Sequence, residues 1–172
     1  PKRYTMNEDI FDVVNEHDQV IDQRPRSVVH AEQLYHRAAH VLVFNAKGEV
    51  FLQLRSKTKD NDPGLWDNSC SGHVDAGESY VVAAERELME EIGLLAEEPL
   101  EELFGLEACP ETGMEFITVF MTESEGPFEL CAEEIDEGRW ASHTEIREAL
   151  DSESENYTPT FRMIWERLAN SN

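Results

Sequence analysis

The chain alternates between stretches of two-residue and helical hydrophobic period. Phe11-Asp12-Val13-Val14-Asn15 and Gln19-Val20-Ile21-Asp22 flank the polar Glu16-His17-Asp18, which predicts an N-terminal hairpin within residues 8–30. Residues 34–44 turn strand-like in their second half. Asn45-Ala46-Lys47-Gly48 signals a turn, and residues 50–54 return as a strand. Residues 58–64 read as a polar loop. The period then becomes helical, with Val81, Ala84, Leu88 and Ile92 forming one apolar stripe suited to packing on a sheet. Residues 100–108 and 116–122 read as two further strands joined through Cys109-Pro110-Glu111-Thr112-Gly113, and Arg139-Trp140-Ala141 as a short one. Ser142-His143-Thr144 leads into a helix through Leu150. Thr158-Pro159 opens a terminal helix, residues 159–170, with Phe161, Ile164, Trp165 and Leu168 on its apolar side. Mixed strands with a few helices predict an α/β chain.

The 172 residues fit one domain, 1–172, and 40% hydrophobic residues suffice for a core. The net charge of −23 changes the picture more. So acidic a chain repels nucleic acid, yet a small phosphorylated substrate stays admissible where a metal supplies local positive charge. Cys70, Cys109 and Cys131 are odd in number and lack ligand-like spacing. That argues against a disulfide framework or a zinc site and fits a reducing, cytoplasmic setting. No apolar run approaches a membrane span and no signal peptide is visible. The chain begins at Pro1, so an initiator Met or a leader is expected to have been removed or left out.

The chemistry concentrates between Gly72 and Leu94, GHVDAGESYVVAAERELMEEIGL. At about 100° per residue, Glu87, Glu90 and Glu91 share one arc of a helix. Three adjacent carboxylates raise each other's pKa, and a hard cation with oxygen ligands relieves the repulsion. An acidic helix alone is usually a solvated face. Here Gly72 opens the segment in a loop, Ser79 is placed to cap the helix and Gly93 to end it.

This spacing resembles the Nudix box, G-x5-E-x7-R-E-U-x-E-E-x-G-U with U apolar, and every fixed position is matched, Leu88 and Leu94 filling the U places. The resemblance implies a Nudix fold, a mixed β-sheet sandwiched between helices. It implies Mg²⁺ or Mn²⁺ held by Glu87, Glu90, Glu91 and the Gly72 carbonyl, or water positioned by the same carboxylates. It also implies an ion pair between Glu78 and Arg86 that fixes loop to helix, and substitution at phosphorus of a diphosphate linked to a further group. A late-loop Glu often adds a ligand or a base in this family. Glu134 is the expected residue, although its neighbours are also acidic.

Residues 54–59 and 63–69 look like the region before the box in isopentenyl-diphosphate isomerases and their hydrolase relatives. Arg55 and Lys59 fall where the isomerases bind diphosphate. His36 and His73, with His30 nearby and Glu115, fall near the isomerase metal cage, although Gly113 stands where a second cage Glu would be. Ser71 stands where the isomerase has its catalytic Cys, and Cys70, one residue away, points to the opposite side. The hydrolytic carboxylate set is complete. The reading is therefore hydrolysis of a nucleoside diphosphate linked to a further group, with isomerisation as the alternative and a non-catalytic nucleotide-binding module as a third. Trp66, Phe116 and Phe120 are generic stacking candidates for a base. The expected partner is a small phosphorylated substrate, with neither nucleic acid nor membrane, and a second copy of the chain stays open.

Overall fold

Alternating burial along two long strands sets the architecture. The computed structural model describes residues 8–171; residues 1–7, Pro1 among them, and residue 172 lie outside it, so the outer ends of the expected 1–172 domain do too. Strand β3 (His36–Phe44) points Ala38 and Leu42 to one face and Ala39, Val41 and Val43 to the other, all nearly inaccessible. A strand buried on both faces needs cover on both.

The hairpin is β1 (Ile10–Val14) and β2 (Val20–Pro25), paired antiparallel. It is shorter than residues 8–30. Proline removes a ladder donor, and Arg26–Ala31 coils into a short helix, α1, that buries Val29 against Phe11 and Val13. After β3 come β4 (Val50–Arg55), β5 (Trp66–Asp67) and β6 (Cys70–His73). Gly72 was expected in a loop. It lies instead in β6, whose four residues pair antiparallel with Ala38–Val41 of β3.

Helix α2 (Tyr80–Ile92) carries the box. Strands β7 (Glu101–Leu106), β8 (Glu115–Glu123) and β9 (Ile135–Ala141) complete the sheet; helices α3 (His143–Ser152) and α4 (Pro159–Ala169) close the chain. The strand order is β5-β4-β3-β8-β7, with β6 also on β3 and β9 on β4. β3 and β8 run parallel and the remaining pairs antiparallel, so the sheet is mixed, as expected.

Two cores follow. Leu42, Leu52, Ile117 and Val119 pack with Ile146 of α3 and Phe161, Ile164 and Trp165 of α4. Val41, Val43, Phe51 and Phe120 pack with Ala84, Leu88 and Ile92 of α2 on the opposite face. The stripe on α2 is rotated from the expected one. Val81 is 37% exposed, whereas Ala83 and Glu91 are buried. Truncating Leu88, which is fully buried, to Ala removes transfer energy and leaves a cavity, about 2–5 kcal/mol.

Candidate active site

Helix α2 is fixed at both ends before it presents any chemistry. Ser79 Oγ accepts from the Val82 amide at 3.3 Å, and Gly93 ends the helix in the left-handed conformation at φ 67°. Arg86 then ties helix to strand. It donates to both oxygens of Glu78 at 2.8 and 2.9 Å, to Glu87 at 2.6 Å, to Glu90 at 3.2 Å and to the His73 carbonyl at 3.0 Å. The Glu78–Arg86 pair is thus present.

Glu87 and Glu91 face β6 and are mostly shielded from water, whereas the Glu90 side chain is 59% exposed. Glu91 accepts from Gln53 Nε2 at 3.3 Å and the Ser71 amide at 3.2 Å, with Cys70 Sγ at 3.5 Å. Among the described residues no basic side chain pairs with it. Burial, and then the Glu87 charge, raises the Glu91 pKa to about 8. Burial raises Glu87 to about 7 against the opposing pull of Arg86. A Cβ on Gly72 would overlap the Glu87 carboxyl, so only glycine lets the strand lie this close to it.

A second group gathers around His73 of β6. The ligand-type nitrogens of His30 (α1), His36 (β3) and His73 (β6) fall within 4.8 Å of one another. Glu115 Oε1 (β8) is 3.0 Å from His73 Nε2 and 3.5 Å from His36 Nε2, yet neither nitrogen makes an aligned hydrogen bond. His36 Nδ1 donates to the Leu34 carbonyl at 2.8 Å, which turns Nε2 toward Glu115. Phe11 stacks on His73 with centroids 4.6 Å apart and covers the group. Burial first, then His73 and His36, push His30 down to about 4. Burial would raise Glu115, but the two imidazoles outweigh it and hold the carboxyl well below its usual range.

Glu87, Glu90 and Glu91 line one cavity of about 830 Å³ together with His30, His73 and Glu115. Arg55, Lys59 and Glu134 line it too, so the expected phosphate and late-loop residues converge there. Arg55 donates to the Asn61 carbonyl at 2.8 Å and lies 3.7 Å from Asp67; Lys59 pairs with Glu134. Trp66, Phe116 and Phe120 are not at the cavity. Phe120 and Phe116 are buried in the sheet and Trp66 lies under Arg139, so strand alternation turns these rings into packing rather than stacking platforms. Sequence reasoning missed Asp67, whose carboxylate accepts from the Asn68 amide at 2.8 Å and from Thr158 Oγ1 at 3.2 Å and so joins β5 to the start of α4. It also missed His40, which shares the His36-Ala38-His40 alternation and was detectable by it.

The NUDIX domain model matches residues 34–161. The chain belongs to the Nudix family. An uncharacterized Nudix hydrolase of Yersinia pestis is 36% identical over 152 residues, covering 86% of this chain and 79% of that protein. Isopentenyl-diphosphate Delta-isomerase 2 of Photorhabdus laumondii is 30% identical over 167 residues, covering 94% and 93%. The crystal structure of DR0079 from Deinococcus radiodurans superposes with a TM-score of 0.73 at 24% identity over 84% of this chain and 90% of that one, a likeness of fold. This Nudix chain is a hydrolase acting on diphosphate bonds. None of its described helices is long and apolar enough to cross a membrane.

Proposed function

We propose that this Nudix hydrolase cleaves a nucleoside diphosphate linked to a further group, with Mg²⁺ or Mn²⁺ held by Glu87, Glu90, Glu91 and the Gly72 carbonyl. The observation that carries this is the shielded Glu87–Glu91 pair, raised to about 7 and 8, against a strand that only glycine lets approach. Such a pair is poised to exchange protons for a hard cation. A divalent cation bound there neutralises phosphoryl charge and acidifies water. Arg86 aligns Glu87 and Glu90, Arg55 and Lys59 bind the diphosphate, and Glu134 is the rim carboxylate placed to orient or accept a proton. The net charge of −23 disfavours nucleic acid as partner. The free thiols of Cys70, Cys109 and Cys131 suit a reducing cytoplasm.

The imidazole group favours a second cation site. His30, His36, His73 and Glu115 would hold it, because three imidazole ligand atoms gather within 4.8 Å of one another and Glu115 Oε1 lies 3.0 Å from His73 Nε2 and 3.5 Å from His36 Nε2. This group and the 30% identical isomerase also support the isomerase reading. Against it stands Ser71 in the Cys position. Cys70 is fully buried beside Glu91, and burial followed by that carboxylate pushes its thiol well up, away from use as an acid or nucleophile at neutral pH.

The test is turnover of nucleoside di- and triphosphates, nucleotide sugars, dinucleoside polyphosphates and isoprenyl diphosphates, with Mg²⁺, Mn²⁺ or EDTA. Phosphate release and isomer formation are both read. Metal-dependent phosphate or nucleotide release is expected. Full activity in EDTA overturns the assignment, and deuterium incorporation into dimethylallyl diphosphate in deuterated water promotes the isomerase.

A further inference from the structure

His40 is a buried histidine that the reaction above leaves unused. It stands directly opposite Ser71 in the β3–β6 ladder, on the β3 face that also carries Ala38 and Leu42. Ala39 and Val41, on the other face, pack toward α2. His40 therefore faces away from the carboxylates of α2, toward the part of the cavity bounded by Asp67, Ser71 and Thr158.

Its two ring nitrogens differ. Nδ1 lies 3.1 Å from the Asn68 carboxamide nitrogen. Nε2 has no hydrogen-bond partner among the described residues, and the ring forms part of the cavity wall. Burial pushes the pKa of the ring down despite Asp67 and Glu115, so it is neutral at pH 7. With the carboxamide nitrogen on Nδ1, the ring proton sits on Nε2; a turned carboxamide exchanges the roles. Either way one polar nitrogen of a residue only 5% exposed faces the cavity.

The chemistry of that nitrogen narrows its partner. A phosphate finds its counter-charge at Arg55, beside Asp67, and a neutral ring adds no charge for it to pair with. A hydrocarbon would strip water from Nε2 and return no hydrogen bond, a loss of about 10- to 100-fold in binding. A hydroxyl donates and accepts, so it satisfies Nε2 in either protonation pattern. We infer that His40 reads a hydroxyl of the group joined to the diphosphate, so that the enzyme selects a hydroxylated, sugar-like group over a hydrocarbon one. This rests on the hydrolase reading above and deepens it by naming what the second half of the substrate carries.

The experiment compares kcat/KM for ADP-ribose and isopentenyl diphosphate under Mg²⁺ in wild type, His40→Phe and His40→Gln. Wild type is expected to prefer ADP-ribose. His40→Phe is expected to lose about 10- to 100-fold on ADP-ribose and nothing on isopentenyl diphosphate, and His40→Gln to recover part of the loss. Equal losses on both substrates, an unchanged preference, or a wild-type preference for isopentenyl diphosphate overturn the inference. If wild type cleaves neither, the hydrolase reading has failed, and imidazole ¹⁵N spectra then decide the hydroxyl assignment. Metal-free ADP-ribose must shift the His40 Nε2 resonance and isopentenyl diphosphate must not. No shift with ADP-ribose overturns it.

Discussion

The carboxylate group on α2 and the imidazole group beneath the hairpin share a cavity and use opposite proton logic. At Glu87 and Glu91 burial raises the pKa values to about 7 and 8, so the metal-free protein keeps protons there. At the imidazoles burial works the other way, lowering His30 to about 4, and Glu115 is held ionised. The first group must release protons to take a cation, whereas His30 and Glu115 of the second are already deprotonated near neutral pH. Burial disfavours whichever form is charged, so the same desolvation yields a hard-oxygen site and a nitrogen-rich site a strand apart. The difference teaches that ligand type, more than cavity shape, would separate a hard cation from a softer one at these two places.

Breaking the carboxylate side gives the largest effect. Glu91→Gln keeps the size but removes the ligand charge, and kcat is expected to fall about 10²-fold or more, on the order of 3 kcal/mol. Steady-state turnover at saturating Mg²⁺ checks it, and a near-wild-type rate contradicts the role. On the other side, His73→Ala removes one of the proposed direct ligands. Zn²⁺ or Co²⁺ affinity is expected to drop by more than the roughly 10- to 100-fold typical of losing an outer-shell partner, while Mg²⁺-supported turnover changes far less. Calorimetric titration with Co²⁺ reads the first number, and unchanged binding removes the second site from consideration.

The proton comparison can be sharpened by urea unfolding in EDTA. Glu87 and Glu91 have folded pKa values above the ordinary 4.5, so their contribution is present below about pH 4.5 and lost as pH rises toward 8. His30 is lowered from 6.5 to about 4, so its contribution is present above 6.5 and lost as pH falls toward 4. Between pH 6.5 and 8 the midpoint is therefore expected to fall, and to fall less in Glu91→Gln. A midpoint that climbs across that window refutes the raised carboxyl pKa values. The smallest effect is Lys59→Ala. Removing one diphosphate contact, itself partnered by Glu134, is expected to raise KM about three- to tenfold at low salt and less at high salt. Identical KM values at low ionic strength make Lys59 a latch for Glu134 only.

The parts legible in the sequence are those encoded locally. The box helix, its Ser79 cap and its Gly93 end follow from spacing within one short segment, and the Glu78–Arg86 pair from the resemblance to the Nudix box. Strand β6 was not legible. Cys-Ser-Gly-His has little strand propensity, and its ladder exists because β3 offers Ala38–Val41 as partners. The same holds for α1: six residues do not sustain a helix alone, but Val29 packing against Phe11 and Val13 fixes it and delivers His30 to His36 and His73. The rotated stripe on α2 has a comparable origin, because Glu91 points to the same side as Leu88 and Ile92, where Gln53 and the Ser71 amide receive it. Periodicity marks Glu as solvent-facing and cannot see those partners.

The four residues of β6 also constrain how this gene can change length. Gly72 serves the α2 side and His73 the hairpin side only because consecutive strand residues point oppositely. A single-codon insertion or deletion in β6 would slide the register by one and exchange those faces. The Glu87 carboxyl would then meet a side chain where it needs glycine, and the imidazoles would lose a member, in one event. Residues 95–99, an irregular segment between α2 and β7, pair with no strand and line neither group. A change of length is therefore expected to be tolerated there and to be disruptive in β6.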